Sequence, residues 1–183
     1  MTDITRQLGF ASVDGLAFAE ERGRLCPDVA KTGFYADDLG PLLELIHLAQ
    51  TRSQLNPKQA PWITLGSMAA FWEAFTSPRE HWFSEERRSG FYRTSNVSRV
   101  DEMSWVAFRL AAQQAAVASG FHRRVAAQLI GAIGEMWSNI YEHCGASTTG
   151  LIAFKATPGI FEFVVSDRGM GALNSLRADP QSC

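Results

Sequence analysis

The stretch GLIAFKATPGIFEFVVS, residues 150–166, decides the fold of the C-terminal half of the chain. It contains two runs rich in apolar, β-branched and aromatic residues, 150–156 and 160–166. The residues between them, Thr157-Pro158-Gly159, are typical of a turn. The stretch therefore predicts two strands joined by a tight turn.

Two helices are predicted upstream of these strands. The first runs through WVAFRLAAQQAAVAS, residues 105–119, with Ser98 or Asp101 as its N-terminal cap and Gly120 at its end. The second extends from about residue 123 to residue 143. The order helix, helix, strand, turn, strand predicts a layered α/β arrangement.

Residues 1–98 are predicted to form a smaller folded region, mixed α/β or helical, to which no role is assigned. Helical patterns at 37–53 and 68–75 alternate with short strand-like segments, WITLG and GFYRT. An aromatic cluster indicates a packed core, and an exposed partner-binding face is the alternative. The cluster consists of Trp62, Phe71, Trp72, Phe75, Trp82, Phe83, Phe91 and Tyr92.

Composition limits the classes of partner. The 183 residues are 46% hydrophobic, enough for one core or two small domains. The net charge of -2 gives no general attraction to nucleic acid or to an anionic membrane. The three cysteines form no CxxC pair, and no apolar run approaches the ~20 residues of a membrane-spanning helix. We therefore expect a soluble, cytoplasmic protein that binds neither nucleic acid nor membrane.

A polar stripe lies on the second predicted helix, within EMWSNIYEHCGAS at residues 135–147. At 100° per residue, Glu135, Asn139, Glu142 and His143 fall within about 100° of arc. The side expected to pack on the sheet carries Leu129, Ile133, Met136, Trp137 and Ile140. The polar stripe is then either a site or an ordinary face in contact with water.

A second motif, DRGMG at residues 167–171, follows the second predicted strand. Two glycines here allow a close backbone approach to a flat ligand, and Asp167 can accept a hydrogen bond from an amino group. A plain turn is the alternative, because Asp and Gly are common turn residues.

Together, ExxxNxxxH on a helix, a hairpin and DxGxG resemble the nucleotide site of the GHKL ATPases, which include gyrase, the heat-shock chaperone, histidine kinases and mismatch-repair ATPases. The likeness covers about residues 100–177 and is greatest to the histidine kinases and the anti-sigma-factor serine kinases. It implies that residues 99–183 form a partial histidine-kinase-like ATPase domain. The implied fold is an α+β two-layer sandwich, a Bergerat-type ATP-binding fold that is incomplete at the C-terminus.

The resemblance also implies residue roles. Glu135 would be the general base, Asn139 would bind Mg²⁺, and Asp167 would bond the adenine amino group of ATP. His143 would lie near the phosphates, although a helix C-terminal cap explains it nearly as well. Gly169 and Gly171 would let the loop run beside the base.

The chain departs from the family in one respect, because no glycine-rich lid follows DxGxG. Three explanations stay open: the sequence is part of a longer product, a partner chain supplies the lid, or the domain has lost ATP binding and serves as an interaction module. In the first two cases a sheet edge near residues 160–166 is left unpaired, which predicts a homodimer or aggregation.

The expected function is that of an ATP- and Mg²⁺-binding regulatory protein that transfers phosphate to a protein substrate in trans. A catalytically silent adaptor that holds a regulatory partner is the alternative. No phosphate loop, GxGxxG, HExxH or GxSxG motif is present to favour another chemistry.

Overall fold

The structure, a computed structural model, describes residues 4–23, 32–52, 55, 62–94, 102–143, 149–167 and 169. The chain divides into two compact units, Met1–Glu73 and Ala74–Cys183. Each unit has its own β-sheet. The protein is thus a mixed α/β chain, as the sequence predicted.

The first unit begins with alternating strands and helices. Its elements are β1 (Ile4–Gln7), α1 (Phe10–Glu21), β2 (Thr32–Tyr35), α2 (Leu39–Thr51), β3 (Ile63–Thr64), a 3₁₀ turn (Gly66–Met68) and α3 (Ala69–Thr76), the last of which continues past the unit boundary. The three strands are parallel, in the order β1-β2-β3. Parallel neighbours need crossover connections, and α1 and α2 lie in those connections.

Leucine is the most frequent buried residue among the described residues of the first unit. Helix α2 buries side chains around most of its circumference, which is why its sequence reads as a nearly continuous apolar run. The guanidinium of Arg52, just after α2, bonds the carbonyl of Ala17 at 2.9 Å and the carboxylates of Glu20 and Glu21. These bonds join the C-terminal ends of α1 and α2. The buried leucines are Leu8, Leu16, Leu39, Leu42, Leu43, Leu45 and Leu55.

The second unit is an antiparallel sheet with two long helices inserted between its central strands. Its elements are β4 (His81–Phe83), β5 (Ser89–Arg93), α4 (Glu102–Ala118), α5 (Arg123–His143), β6 (Leu151–Thr157) and β7 (Ile160–Ser166). The strand order is β4-β5-β6-β7, and every pair is antiparallel.

Helices α4 and α5 cover one face of this sheet. Alternate residues of a strand share a face, so Ile152, Phe154 and Ala156 of β6 all point toward the helices and are buried. Trp105 of α4 stacks on Trp137 of α5 with ring centroids 4.7 Å apart. The core therefore forms between the helix pair and the sheet.

Two glycines shape the turns of the second unit. Gly120 has φ +107° and follows α4, as predicted, and Gly159 has φ +79° in the turn between β6 and β7. The Gly159 N–H donates to the Ser119 carbonyl at 2.7 Å. This bond attaches the hairpin turn to the C-terminal end of α4.

The predicted elements of the C-terminal half are confirmed. The two predicted strands are β6 and β7, and the second predicted helix is α5 with the expected bounds. The first helix, α4, begins at Glu102, whereas the cap candidates Ser98 and Asp101 lie outside the described residues.

The boundary between the units differs from the predicted one. The sequence suggested a division between residues 98 and 99, and the structure divides the chain between Glu73 and Ala74. The reason is a long-range pairing: β5 joins β6, with Phe91 opposite Ala153. The segment 81–93 thus belongs to the C-terminal sheet. The predicted kinase-like identity of residues 99–183 stays a prediction.

The predicted aromatic core is confirmed for most of its members. Phe71, Trp72, Phe75, Phe91 and Tyr92 are buried. Trp62, Trp82 and Phe83 are half-buried. Because the unit boundary falls among them, these aromatic residues contribute to two cores instead of one.

Candidate functional site

The buried side of α5 fixes the orientation of the candidate site. Ala126, Ile130, Ile133, Trp137 and Ile140 recur at helical spacing, and all are buried. The Trp137 ring also meets Tyr92 of β5 edge-on, with centroids 5.2 Å apart. This stripe packs α5 against the sheet and thereby determines which residues of the helix face outward.

The polar stripe lies on the opposite side of α5. Glu135 and Asn139 are exposed, about 160° of helical rotation from Trp137 in either direction. His143 ends the helix, and the side chains of Glu142 and His143 lie outside the described residues. The separation of α5 into two faces is confirmed for the residues that can be compared.

One prediction about the apolar side is wrong. Met136 was expected to face the sheet, but 44% of its surface is exposed. At 100° per residue it lies about 80° from the centre of the buried stripe. That places it at the margin of the stripe, where a flexible apolar side chain remains in contact with solvent.

The last turn of α5 packs against the start of β6. A Cβ atom built on Gly150 would lie 2.7 Å from Ile140 Cγ2 and 2.6 Å from Thr94 Oγ1. Thr94 is buried, and both its N–H and its hydroxyl donate to the Gly150 carbonyl, at 2.9 and 3.1 Å. Only glycine fits between the helix and β5 at this point without a shift of its neighbours.

This contact places the two motifs at the same end of the sheet. Leu151, which follows Gly150, pairs with Ser166, the residue before Asp167. Asn139 is the neighbour of Ile140 in the helix, and Glu135 lies about 6 Å further along the helix axis. The C-terminal end of α5 and the C-terminal end of β7 are therefore at one edge of the unit.

Asp167 forms a local turn. Its side chain is exposed, and Oδ1 accepts a hydrogen bond from the Gly169 N–H at 2.7 Å. An Asx turn of this kind satisfies one carboxylate oxygen and leaves Oδ2 pointing elsewhere. Gly171, predicted to line the adenine, lies outside the described residues, as do residues 144–148 between α5 and β6.

Asn139 is the predicted magnesium ligand on the polar stripe of α5. Among the described residues there is no group of three or more His, Cys, Asp or Glu side chains that could hold a metal. The amide of Asn139 is exposed and can reach a hydrated ion. Mg²⁺ usually keeps several waters and binds substrate phosphates. A single amide ligand therefore suits Mg²⁺ better than it suits a metal that is bound entirely by protein side chains.

A separate groove lies away from both motifs. It has a volume of about 500 Å³ and lies between the β4–β5 turn and the C-terminal half of α4. Among the described residues, its lining includes Arg87, Arg88, Gln114 and Ala115, and no member of the polar stripe or of DRGMG. The Arg88 guanidinium is already paired with Glu86 at 3.1 Å.

Sequence reasoning missed the residues that position the site. Thr94 and Gly150 carry no chemistry, but they set the contact between α5 and the sheet. The signal in the sequence was a glycine directly before a strongly predicted strand, where close approach of another backbone is common. Thr94 and Gly150 are 56 positions apart, so local sequence patterns could not reveal that they bond to each other.

Comparison of the chain with protein-family models, curated proteins and solved structures gives no match. Among the described residues, no helix has the length and apolar character needed to cross a bilayer.

Proposed function

We propose that the second unit is an ATP-binding domain of the histidine-kinase-like type and that it transfers phosphate to a protein substrate. The observation that supports the proposal is that the C-terminal ends of α5 and β7 lie at the same end of the sheet. The last turn of α5 packs on Gly150. The next residue, Leu151, pairs with Ser166, which directly precedes Asp167. Two sequence motifs that are separated along the chain thus come to one edge.

The order of elements supports the same proposal. A helix pair on one face of an antiparallel sheet, followed by a hairpin that ends in DRGMG, is the arrangement implied by the Bergerat-type two-layer sandwich. In the proposed site Asp167 accepts a bond from the adenine amino group, and Asn139 binds Mg²⁺ on the phosphates. His143 would lie near those phosphates, and Gly169 and Gly171 would let the backbone run beside the base.

Glu135 completes the proposed site as general base. It is exposed, and so is Asn139 four residues later, so both project from the same side of α5. A carboxylate here can orient a hydroxyl acceptor that arrives from solvent. An acceptor in another protein chain fits this exposure.

The proposal is tested by calorimetric titration of the full chain with ATP in the presence of Mg²⁺. We expect Asp167→Asn to weaken ATP binding by about tenfold or more, because a hydrogen bond to a charged acceptor contributes about 1.5–3 kcal/mol. The asparagine oxygen can still accept the Gly169 N–H, so the turn itself is kept. Asp14→Asn, on an exposed aspartate of α1, is the matched control.

The outcomes separate the possibilities. If titration with ATP gives equal and weak heats of binding for the wild-type chain and for Asp167→Asn, the proposal of a nucleotide site is wrong. Asn139→Ala removes the proposed magnesium ligand. We expect this variant to bind ATP as wild type does when Mg²⁺ is absent, and to lose the increase in affinity that Mg²⁺ gives to wild type.

A second candidate is an adaptor without catalytic activity, and the outer side of α4 favours it. Met103, Val106, Leu110 and Val117 fall within about 60° of arc, directly opposite the buried side, and are exposed by 37–83%. Apolar stripes of this size commonly mark contacts with another protein. A chain that fails to bind ATP in the titration above fits the adaptor better than the kinase.

A further inference from the structure

The carboxyl ends of the parallel strands in the first unit bring together polar side chains. Asp37 and Asp38 follow β2, Ser67 follows β3, and Gln7 ends β1. The Gln7 amide donates to Asp38 Oδ2 at 2.8 Å, and the Ser67 hydroxyl donates to Asp37 Oδ1 at 2.6 Å. In open parallel sheets this edge is where ligands and reacting groups are usually found.

Among the described residues, the Ser67–Asp37 contact differs from the hydroxyl contacts of Ser77, Ser119 and Ser138. The hydroxyls of Ser77, Ser119 and Ser138 donate to backbone carbonyls of their own helices or turns. Ser67 donates to a carboxylate, and its 2.6 Å distance is that of a charge-assisted O–H···O⁻ bond. A serine hydroxyl within hydrogen-bond reach of a base is the arrangement that activates oxygen nucleophiles.

The backbone presents Ser67 rigidly. Gly66 has φ +47°, and a Cβ atom there would lie 2.6 Å from the Tyr35 ring. The turn is also held by the Met68 N–H, which donates to the Leu65 carbonyl at 2.7 Å. The serine is thus fixed by the strand before it and by α3 after it.

The surroundings of Ser67 are open. Ser67 itself is exposed, and so are its small neighbours Gly66, Ala69 and Ala70. A bulky phosphate donor can therefore approach the hydroxyl without displacing a large side chain. The hydroxyl also lies at the N-terminal end of α3, where helix N–H groups favour a phosphate.

We infer that Ser67 is a phosphoacceptor, which receives the γ-phosphoryl group of ATP from the proposed kinase site of another copy of this chain; the inference therefore rests on the proposed function. Ser67 Oγ forms a bond to the γ-phosphorus, and the bond from that phosphorus to the β–γ bridging oxygen breaks. ADP leaves with the electron pair, and Asp37 takes the hydroxyl proton. For this acceptor Glu135 orients the Ser67 hydroxyl and takes no proton, because Asp37 serves as the base.

The product differs in charge from the starting state. Phosphoserine carries about −1.5 to −2 charge at neutral pH, and it would lie beside the Asp37 carboxylate. The donor hydrogen of the Ser67–Asp37 bond is lost, and like charges repel. Transfer therefore converts an attractive contact between the β2 and β3 ends into a repulsive one.

Two full-length variants test the transfer in trans. Ser67→Ala serves as donor, because it keeps the proposed ATP site, and Asp167→Asn serves as acceptor, because it keeps Ser67 and loses ATP binding. They are mixed with Mg²⁺ and ATP labelled on the γ-phosphate, and mass spectrometry locates the label. We expect the label on Ser67 of the acceptor and none on the donor. Wild type labelled only at other residues, or at none while it binds ATP, overturns the inference and leaves nucleotide binding intact.

Asp37→Asn then separates chemistry from structure. Asparagine still accepts the serine hydrogen bond but cannot take its proton, so labelling is expected to slow by about tenfold or more with an unchanged melting temperature. Ser84→Ala, whose hydroxyl accepts the backbone N–H groups of Arg88 and Ser89, is the control that keeps the wild-type rate. Labelling of Asp37→Asn at the wild-type rate contradicts the paired mechanism. Failure of wild type to bind ATP contradicts both this inference and the proposed function.

Discussion

At the scale of single residues, Glu44 is the clearest departure from ordinary surface behaviour. It lies on α2 with its Oε2 atom buried and without a hydrogen-bond partner among the described residues. Burial, and to a smaller degree the charge of Asp14, raises the pKa of Glu44 above its usual 4.5. The charged carboxylate is therefore a cost to the folded state.

This cost makes the stability of the protein depend on pH. A raised carboxyl pKa means that the folded chain holds the proton more tightly, so the contribution to stability is present below about pH 4.5 and is lost as the pH rises through the folded pKa. We expect Glu44→Gln to raise the unfolding free energy at pH 7 by about 0.5 kcal/mol and to change little at pH 4. Thermal denaturation at the two pH values measures this. Glu85→Gln, at an exposed position, is the control, and an equal gain at both pH values would argue against burial as the cause.

At the scale of elements, the pairing of β5 with its neighbours depends on Gly90. A Cβ atom there would lie 2.7 Å from Phe83 Cδ1, 2.8 Å from the Trp82 carbonyl oxygen and 3.1 Å from Phe154 Cε1. The carbonyl belongs to the backbone of β4 and cannot move without disturbing that strand. The position therefore has no space for even a methyl group.

We expect Gly90→Ala to lower the unfolding free energy by about 1–3 kcal/mol, the usual cost of overpacking. Gly131→Ala on α5 is the matched control, because nothing lies within 4 Å of its added Cβ. There alanine is expected to raise stability by about 0.5–1 kcal/mol through its better helix propensity. Chemical denaturation compares the two variants, and a Gly90→Ala variant as stable as Gly131→Ala would show that β4 yields easily.

Predictability from sequence also differs between elements. Helix α5 and strands β6 and β7 were predicted with nearly correct bounds, because their periodicity and turn residues are local signals. The place of β5 in the C-terminal sheet was not predictable. Its partner Ala153 lies 62 positions after Phe91, and no local pattern encodes such a pairing.

For the candidate site, the sequence predicted the chemistry-bearing residues and the exposed side of α5, but not the contact that orients them. Glu135 and Asn139 follow from helical spacing alone. The Thr94–Gly150 bonds depend on tertiary packing, so they could only be seen in the structure. Met136 illustrates the limit, since a residue at the margin of a stripe can face either way.

At the scale of the whole molecule, both motifs and the aromatic core of the helix pair belong to the second unit. A fragment comprising residues 66–183 keeps α3 whole and all strands of the second sheet. We expect it to bind ATP within about threefold of the full chain, since no proposed ligand lies in the first unit. Titration of the fragment and the full chain under the same conditions measures this. A folded fragment that binds no ATP, beside a full chain that does, would place part of the site in residues 1–65.

The distribution of side-chain size on α4 has a consequence for how this helix tolerates change. Its inner side carries mainly alanines, Ala111, Ala112, Ala115 and Ala116, beside two large rings, the buried Phe108 and the half-buried Trp105. Its bulkier aliphatic groups, such as Leu110 and Val106, point the other way. Small inner residues bring the helix axis close to the strands, so enlarging any of them forces the two layers apart. Trimming the outer groups leaves that spacing intact, and the outside of α4 is thus free to vary in shape while the inside is not.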